Sequence, residues 1–256
     1  IDSHCHIHLP EFDHDRQAVL ERAAAAGIDT LIIVGNDHAT NQDLIRLLPA
    51  FSQHKITLGI HPHYCHEWNN EVLAWIQYHL QLPELVAIGE TGLDYFRNSH
   101  SPLLQEKVMR AQVELALENN LPVVFHIRDA FSDAERILHD YPDLKFIMHC
   151  FTGTVRDVEW ITKQGGYISL SGIVTFANAK SLQEVAQHIP LDHLLVETDS
   201  PFLAPGKFRG QRCEPAFIFE TVKFLANLRG IEESELIEYL YNNAKRAFEF
   251  SNSAKW

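Results

Sequence analysis

Long apolar runs are missing from this sequence. Nothing in its 256 residues approaches the ~20 consecutive apolar residues that a helical membrane span needs, which excludes that class. Cysteine is scarce. Cys5, Cys65, Cys150 and Cys213 are the four present, and no two form a C-x-x-C pair. The expectation is four reduced thiols in a cytoplasmic protein, with no disulfide frame. Basic charge is short as well: 21 Lys and Arg stand against 34 Asp and Glu, a formal net charge of −13. That balance argues against a protein that coats nucleic acid through a basic surface. It leaves open an enzyme that holds a phosphodiester through bound cations. Low-complexity segments, long linkers and internal repeats are also lacking. No signal-peptide pattern appears; the chain starts at Ile1 without a methionine, and natural residues are expected to precede it.

What is present is ordinary globular composition, 46% hydrophobic and 21% charged. The length suits one large domain over 1–256, and roughly 250 residues is the usual size of an eight-fold β/α barrel. Short runs rich in Ile, Val, Leu and Phe fall at 1–4, 31–34, 56–60, 85–88, 123–125, 146–148, 168–170 and 194–196. They are too short for helices and read as parallel strands covered on both faces. Helical patterns lie between them. Residues 16–26 are alanine-rich and stop at Gly27, a C-cap residue. Ser101-Pro102 supplies an N-cap and first-turn proline ahead of Leu104, Val108, Ala111 and Leu115. A last helix carries Ile237, Leu240, Ala244 and Phe248. Eight alternations predict an α/β fold, a TIM-type (β/α)8 barrel of parallel strands. The alternative, a doubly wound open sheet, usually brings a glycine-rich first turn, and the first turn here has histidines, an acid and a proline.

The opening stretch "IDSHCHIHL" puts His4, His6 and His8 at alternate positions, on one face if the segment is a strand. Imidazole is the commonest metal ligand. Further polar residues follow other runs: Glu90 in "AIGETGLDY", His126 in "VVFHIRD", His149 in "FIMHCFTG", and Glu197 and Asp199 in "LLVETDSPFL". In a β/α barrel the carboxyl ends of the strands share one rim, where catalytic groups sit. Taken singly, each has a plainer use. A histidine after a strand is usually a hydrogen-bonded rim residue, and Glu90 or Asp199 could cap a following helix, Asp199 before Ser200-Pro201 especially. Their conjunction favours a metal site. Six donors, His4, His6, Glu90, His126, His149 and Asp199, exceed what one tetrahedral ion takes, and a central carboxylate can bridge two. Glu90, from the fourth run across the barrel from the first, is the candidate bridge. Ions ~3.5–4 Å apart suit hydrolysis, one activating water and the other holding the substrate oxygen. In "GIHPHYCHEW", His61 and His63 are candidates for the same rim as substrate contacts or supports of the ligands, against a turn of solvated histidines, to which His66 is left. The other histidines, His8 among them, are given no role.

In this order and spacing, "DSHCH", "GIHPH", "AIGETGLDY", "HIRDA", "MHCFTG", "ETDSPFLAP" and the closing "NNAKRAF" resemble the TatD family of metal-dependent hydrolases, among the amidohydrolase-like barrels. The resemblance covers nearly the whole chain. It implies a β/α barrel, a divalent-metal hydrolase with DNase activity in characterised members, and metal-ligand roles for His4, His6, Glu90, His126, His149 and Asp199. One position departs from the pattern: Cys213-Glu214-Pro215 stands where family members commonly have Asn-Glu-Pro, and a thiol cannot replace an amide's donors and acceptor.

The leading expectation is therefore a deoxyribonuclease that cleaves phosphodiester bonds at accessible DNA ends with two divalent ions per chain. His4 and His6 would hold one ion with Asp199, His126 and His149 the other, with Glu90 between. Asp199 would also accept the attacking water's proton. Mg, Mn, Zn, Ni and Fe all suit some of these donors. Phosphate contacts are expected from Arg97, Arg128, Arg209 and Arg212, with Lys207; "GKFRGQR" places three cations in seven residues, although it reads equally as a solvated loop. The competing readings are a hydrolase of a small-molecule ester, amide or lactone, and a non-catalytic metal-binding barrel. Neither a membrane nor an obligate protein partner is expected.

Overall fold

The computed structural model describes residues 1–51, 53–97 and 99–249. Among them are eight strands: β1 Asp2–Cys5, β2 Leu31–Val34, β3 Lys55–Leu58, β4 Leu85–Asp94, β5 Val123–Arg128, β6 Phe146–His149, β7 Tyr167–Leu170 and β8 Leu194–Val196. They pair in sequence order, every pair parallel. Nine α-helices cover the outside: α1 Arg16–Ala25, α2 His38–Leu47, α3 Asn70–His79, α4 Pro102–Glu118, α5 Phe131–Leu138, α6 Val155–Lys163, α7 Lys180–His188, α8 Ile218–Arg229 and α9 Glu233–Ala247. None of the described helices is long and apolar enough to cross a membrane.

Side chains close the ring between the first strand and the last. Asp2 accepts from the Thr198 backbone N–H at 3.0 Å and its hydroxyl at 2.5 Å, and the Ser3 hydroxyl donates to the Val196 carbonyl at 2.8 Å. Just above, the Asp199 N–H donates to the His4 carbonyl at 2.9 Å and the His6 N–H to the Ser200 carbonyl at 2.7 Å. The arrangement is the (β/α)8 barrel expected from the alternating runs.

Strand alternation builds the site. Val124, Ile147 and Leu195 pack with Ile32, Val34 and the end of α9 in a buried apolar cluster inside the barrel. Two residues further along the same faces come His126, His149 and Glu197. The apolar floor and the polar cluster above it are thus successive layers of one inner surface.

The sequence runs underestimate two strands. β4 continues to Asp94 and β5 to Arg128, past the uninterrupted apolar runs that end at 88 and 125: polar side chains that find partners within the rim alternate there with buried Leu93 and Ile127. β4 also carries a bulge: Ile88 faces Val123 while Thr91 faces Phe125, three steps against two. Glycine makes this possible. Gly89, inside the bulge, has φ +135°, and a Cβ there would lie 2.5 Å from the Val124 carbonyl oxygen. The helix signals hold well. Ser101 caps α4 through a 3.3 Å bond from the Leu104 N–H, and Gly27, with φ +91°, follows α1. In α9, Leu240 and Ala244 are buried as expected, but Ile237 is 38% exposed and Leu236 takes the inward position.

Candidate metal centre

Three of the inward imidazoles, His6, His126 and His149, are oriented by the atom the outer nitrogen touches, whereas the outer Nδ1 of His4 is buried without a partner. His6 Nδ1 lies 2.7 Å from the Val34 carbonyl, so it carries a proton and leaves Nε2 bare toward the centre. His126 Nε2 sits 3.0 Å from Asp94 Oδ2, and His149 Nδ1 sits 3.1 Å from Glu197 Oε1. Those contacts likewise turn His126 Nδ1 and His149 Nε2 inward. An oxygen behind a histidine is the usual support of a metal-bound ring.

The inward atoms converge on Glu90, which is buried. Its Oε1 lies 2.8 Å from His149 Nε2 and 3.2 Å from His126 Nδ1; its Oε2 lies 3.5 Å from His4 Nε2. His4 Nε2 is 3.2 Å from His6 Nε2, which is 3.2 Å from Asp199 Oδ1. His126 Nδ1 and His149 Nε2 stand 3.4 Å apart. Bare imidazole nitrogens in contact repel each other unless a proton or cation lies between them. Three sets of donors fall within ion-holding distance among the described residues: His4, His6 and Glu90; His61, Glu90 and His126; and His4, His149 and Glu197. The donor chemistry fits divalent cations.

Electrostatics tell the same story. Burial alone would raise Glu90, but the imidazoles packed around it, His149 foremost, hold its carboxyl well below the usual range. Burial opposes charge on His149 too, and Glu90 and Glu197 overcome it, raising the imidazole well above its ordinary value. His6 is raised against burial by Asp199, and His126 against burial by Asp94 and Glu90. His4 goes the other way, lowered by burial and by the charge of His149. The Asp199 carboxyl, pushed up by burial, is pulled below its usual range by His6. Apart from His4, the inward imidazoles are raised and the two carboxylates lowered by one another.

His61 differs from the ligand-like rings. Its Nδ1 accepts the His63 N–H at 3.1 Å, so the ring proton is on Nε2, 3.5 Å from Glu90 Oε1. Burial holds this imidazole neutral. It is a hydrogen-bond donor into the site. His63 Nε2 donates to Asp94 Oδ2 at 2.8 Å. Asp94, which the sequence reading passed over, therefore holds His63 and His126 together, and accepts the Arg97 N–H at 2.8 Å as well. Its signal was period-two spacing from Glu90, through Gly92. Glu197 was noticed without its partner; that partner is His149.

Several expectations need correction. The capping reading of Asp199 fails: no helix begins there, and its carboxylate faces His6. Glu90 lies inside β4 and caps nothing. His8 follows the end of β1, its ring 6.2 Å from that of His6, with both nitrogens buried and unpartnered, so it does not continue the row of histidines. Arg212 is spent on Asp15, at 2.8 and 2.7 Å, and on the Glu11 carbonyl; Lys207 is spent on Glu220 at 2.9 Å. Cations in an acidic chain find carboxylates, and two of the three in the stretch 206–212 are neutralised for that reason. Arg128 and Arg209 lie over the rings of Phe96 and Phe176 instead. Cys213 is fully buried behind the Asp199 turn, its Sγ 3.9 Å from the Thr198 carbonyl. All four cysteines are unpaired.

A closed parallel barrel with imidazoles and carboxylates gathered at the carboxyl ends of its strands defines a metal-dependent barrel hydrolase. The family model described as TatD related DNase matches residues 1–249, and the chain belongs to that family, whose members hydrolyse ester bonds. It is similar to YabD of Bacillus subtilis, named an uncharacterized metal-dependent hydrolase, with 37% identity over 249 residues, 96% of this chain and 98% of that one. It is also 37% identical to the protein of Erwinia tasmaniensis named 3'-5' ssDNA/RNA exonuclease TatD, over 93% of this chain and 95% of that one. The crystal structure of the TatD homologue YJJV from Escherichia coli superposes with a TM-score of 0.92 at 28% identity, covering 98% of each chain.

Proposed function

We propose that this chain is a two-metal phosphodiesterase that cleaves nucleic-acid strands, a deoxyribonuclease. One observation carries the reading: the two oxygens of Glu90 face different donor sets, Oε2 toward His4 and Oε1 toward His126 and His149. His4, His6 and Asp199 would hold one ion, and His126 and His149 the other, with Glu90 shared. Two divalent ions there would polarise a phosphoryl oxygen and lower the pKa of water. The chain's own residues do the rest. Asp199, ionised and at the rim edge of the cluster, accepts the proton of the attacking water. His61 donates its Nε2 proton toward the scissile group. Asp94 and Glu197 keep three rings in place. Arg97, Arg128 and Arg209, which hold no carboxylate among the described residues, supply phosphate contacts; Arg212 is left out. The exonuclease name of the Erwinia relative supports a nucleic-acid substrate. The four unpaired cysteines support a reducing compartment, the cytoplasm.

The test is hydrolysis by metal-stripped protein re-supplied with single divalent ions, on single-stranded DNA, double-stranded DNA and small carboxylic esters in parallel. Ion-dependent cleavage of DNA is expected. Ester turnover with intact DNA would replace this reading by the small-molecule one.

A further inference from the structure

Phe96 stands two residues past the end of β4, at the cluster's rim, and is 60% exposed. The Arg128 guanidinium lies over its ring, 3.9 Å from the centroid. Arg128 ends β5, two residues beyond His126 and on the same strand face, and is half-buried. Its guanidinium makes no hydrogen bond or ion pair among the described residues, whereas Lys207 and Arg212, in the segment after β8, each hold a carboxylate. Both members of the pair are tied to the cluster. Asp94, two residues before Phe96, accepts from His126, two residues before Arg128.

The chemistry offered is specific. Arg128 covers one face of the ring and leaves the rest of the side chain open to solvent. Its N–H donors are in place for an anion. A nucleotide brings both complements at once, a flat base for the ring and a phosphate for the guanidinium. A small ester or amide brings neither.

We propose that Phe96, backed by Arg128, is a base platform: the ring stacks an unpaired base while Arg128 takes a backbone phosphate, which positions the adjacent phosphodiester at the cluster. This rests on the phosphodiesterase reading above and adds to it the part of the substrate that is recognised. Because a base must leave its duplex partner to stack, Phe96 selects unpaired strand. Phe96 is a positioning residue, away from the reacting atoms.

The experiment compares an oligothymidylate with a strand of equal length whose sugars are abasic, so that phosphates are kept and bases removed. Steady-state kinetics of the metal-loaded wild type are set beside Phe96→Leu, which keeps apolar bulk, and Phe96→Trp, which keeps a stacking face. Thermal melts check the fold of each. Phe96→Leu is expected to raise KM for the base-bearing strand about tenfold more than for the abasic strand, with the loss in KM and not in kcat, and Phe96→Trp to restore it. Arg128→Gln is expected to raise KM on both strands alike. Equal effects of Phe96→Leu on the two strands, or none on either, would overturn the platform while leaving the phosphodiesterase reading intact. A wild type that cleaves neither strand would overturn that reading, and the platform with it.

Discussion

Asp199 sits at φ +53°, a left-handed conformation that asparagine adopts as readily as aspartate. Asp199→Asn should therefore fold normally and melt close to the wild type. Its rate on a DNA oligonucleotide should fall by about 10²–10⁴, the usual worth of a general base. A rate within about tenfold of wild type, well short of that range, would remove Asp199 from the chemistry. Glu197 gives a second test. Its Oε1 accepts from both His149 Nδ1 and the Cys150 N–H, so it sets which nitrogen of His149 faces Glu90. Glu197→Gln keeps the shape and loses the charge, and metal affinity measured by calorimetry should drop about 10–100-fold with little change in melting temperature. Unaltered affinity would make Glu197 a packing residue only. At this scale the convergence of His4, His6, Glu90, His126, His149 and Asp199 was legible because each follows an apolar run. Asp94 was not, since a bulge and four polar or glycine steps separate it from Ile88. The partner of Glu197 was not legible either, because His149 lies 48 positions away and reaches it only through the closed sheet.

Among the elements, the strands were found by composition and the helices by their caps, but the carboxyl ends of β4 and β5 were missed. A continuous apolar run stops at its first polar or glycine residue, before Leu93 and Ile127. The strand stops where backbone pairing stops, and here the polar rim extends it. The amino end of β2 carries a pH-dependent contact. The Leu31 N–H donates to His54 Nδ1 at 3.3 Å, and burial holds the His54 imidazole at about 4, below its ordinary 6.5. The folded state therefore refuses a proton that the unfolded chain accepts. This contribution to stability is complete above pH 6.5 and is lost as pH falls through about 4. His54→Gln keeps an acceptor that does not titrate, so denaturant unfolding between those limits should show a shallower acid loss than the wild type. Equal slopes would mean that His54 is free to protonate in the fold.

Over the whole molecule, net charge and composition constrained class without constraining chemistry. An acidic barrel meeting a polyanionic strand is consistent once the acids are assigned. Many neutralise surface arginines and lysines, and two of the buried ones at the rim, Glu90 and Glu197, lie in donor sets whose chemistry fits cations. What alternation could not convey is closure: the seam from β8 to β1 joins Asp2, Ser3 and Thr198 through their side chains and His4 and His6 to the 199–200 backbone, pairings that only the ring geometry brings about. The same closure brings five side chains, His4 of β1, His6 just after it, His126 of β5, His149 of β6 and Asp199 of the turn after β8, around the Glu90 carboxylate of β4. The most direct test of that centre is the rate of oligonucleotide cleavage as manganese is added back to metal-stripped protein, plotted against ions bound per chain. With Glu90 shared between two ions, the rate should stay low through the first equivalent and plateau at the second, and Glu90→Gln should reach neither the occupancy nor the rate. A plateau at one ion, or a Glu90→Gln variant that binds two ions and turns over normally, would contradict the account.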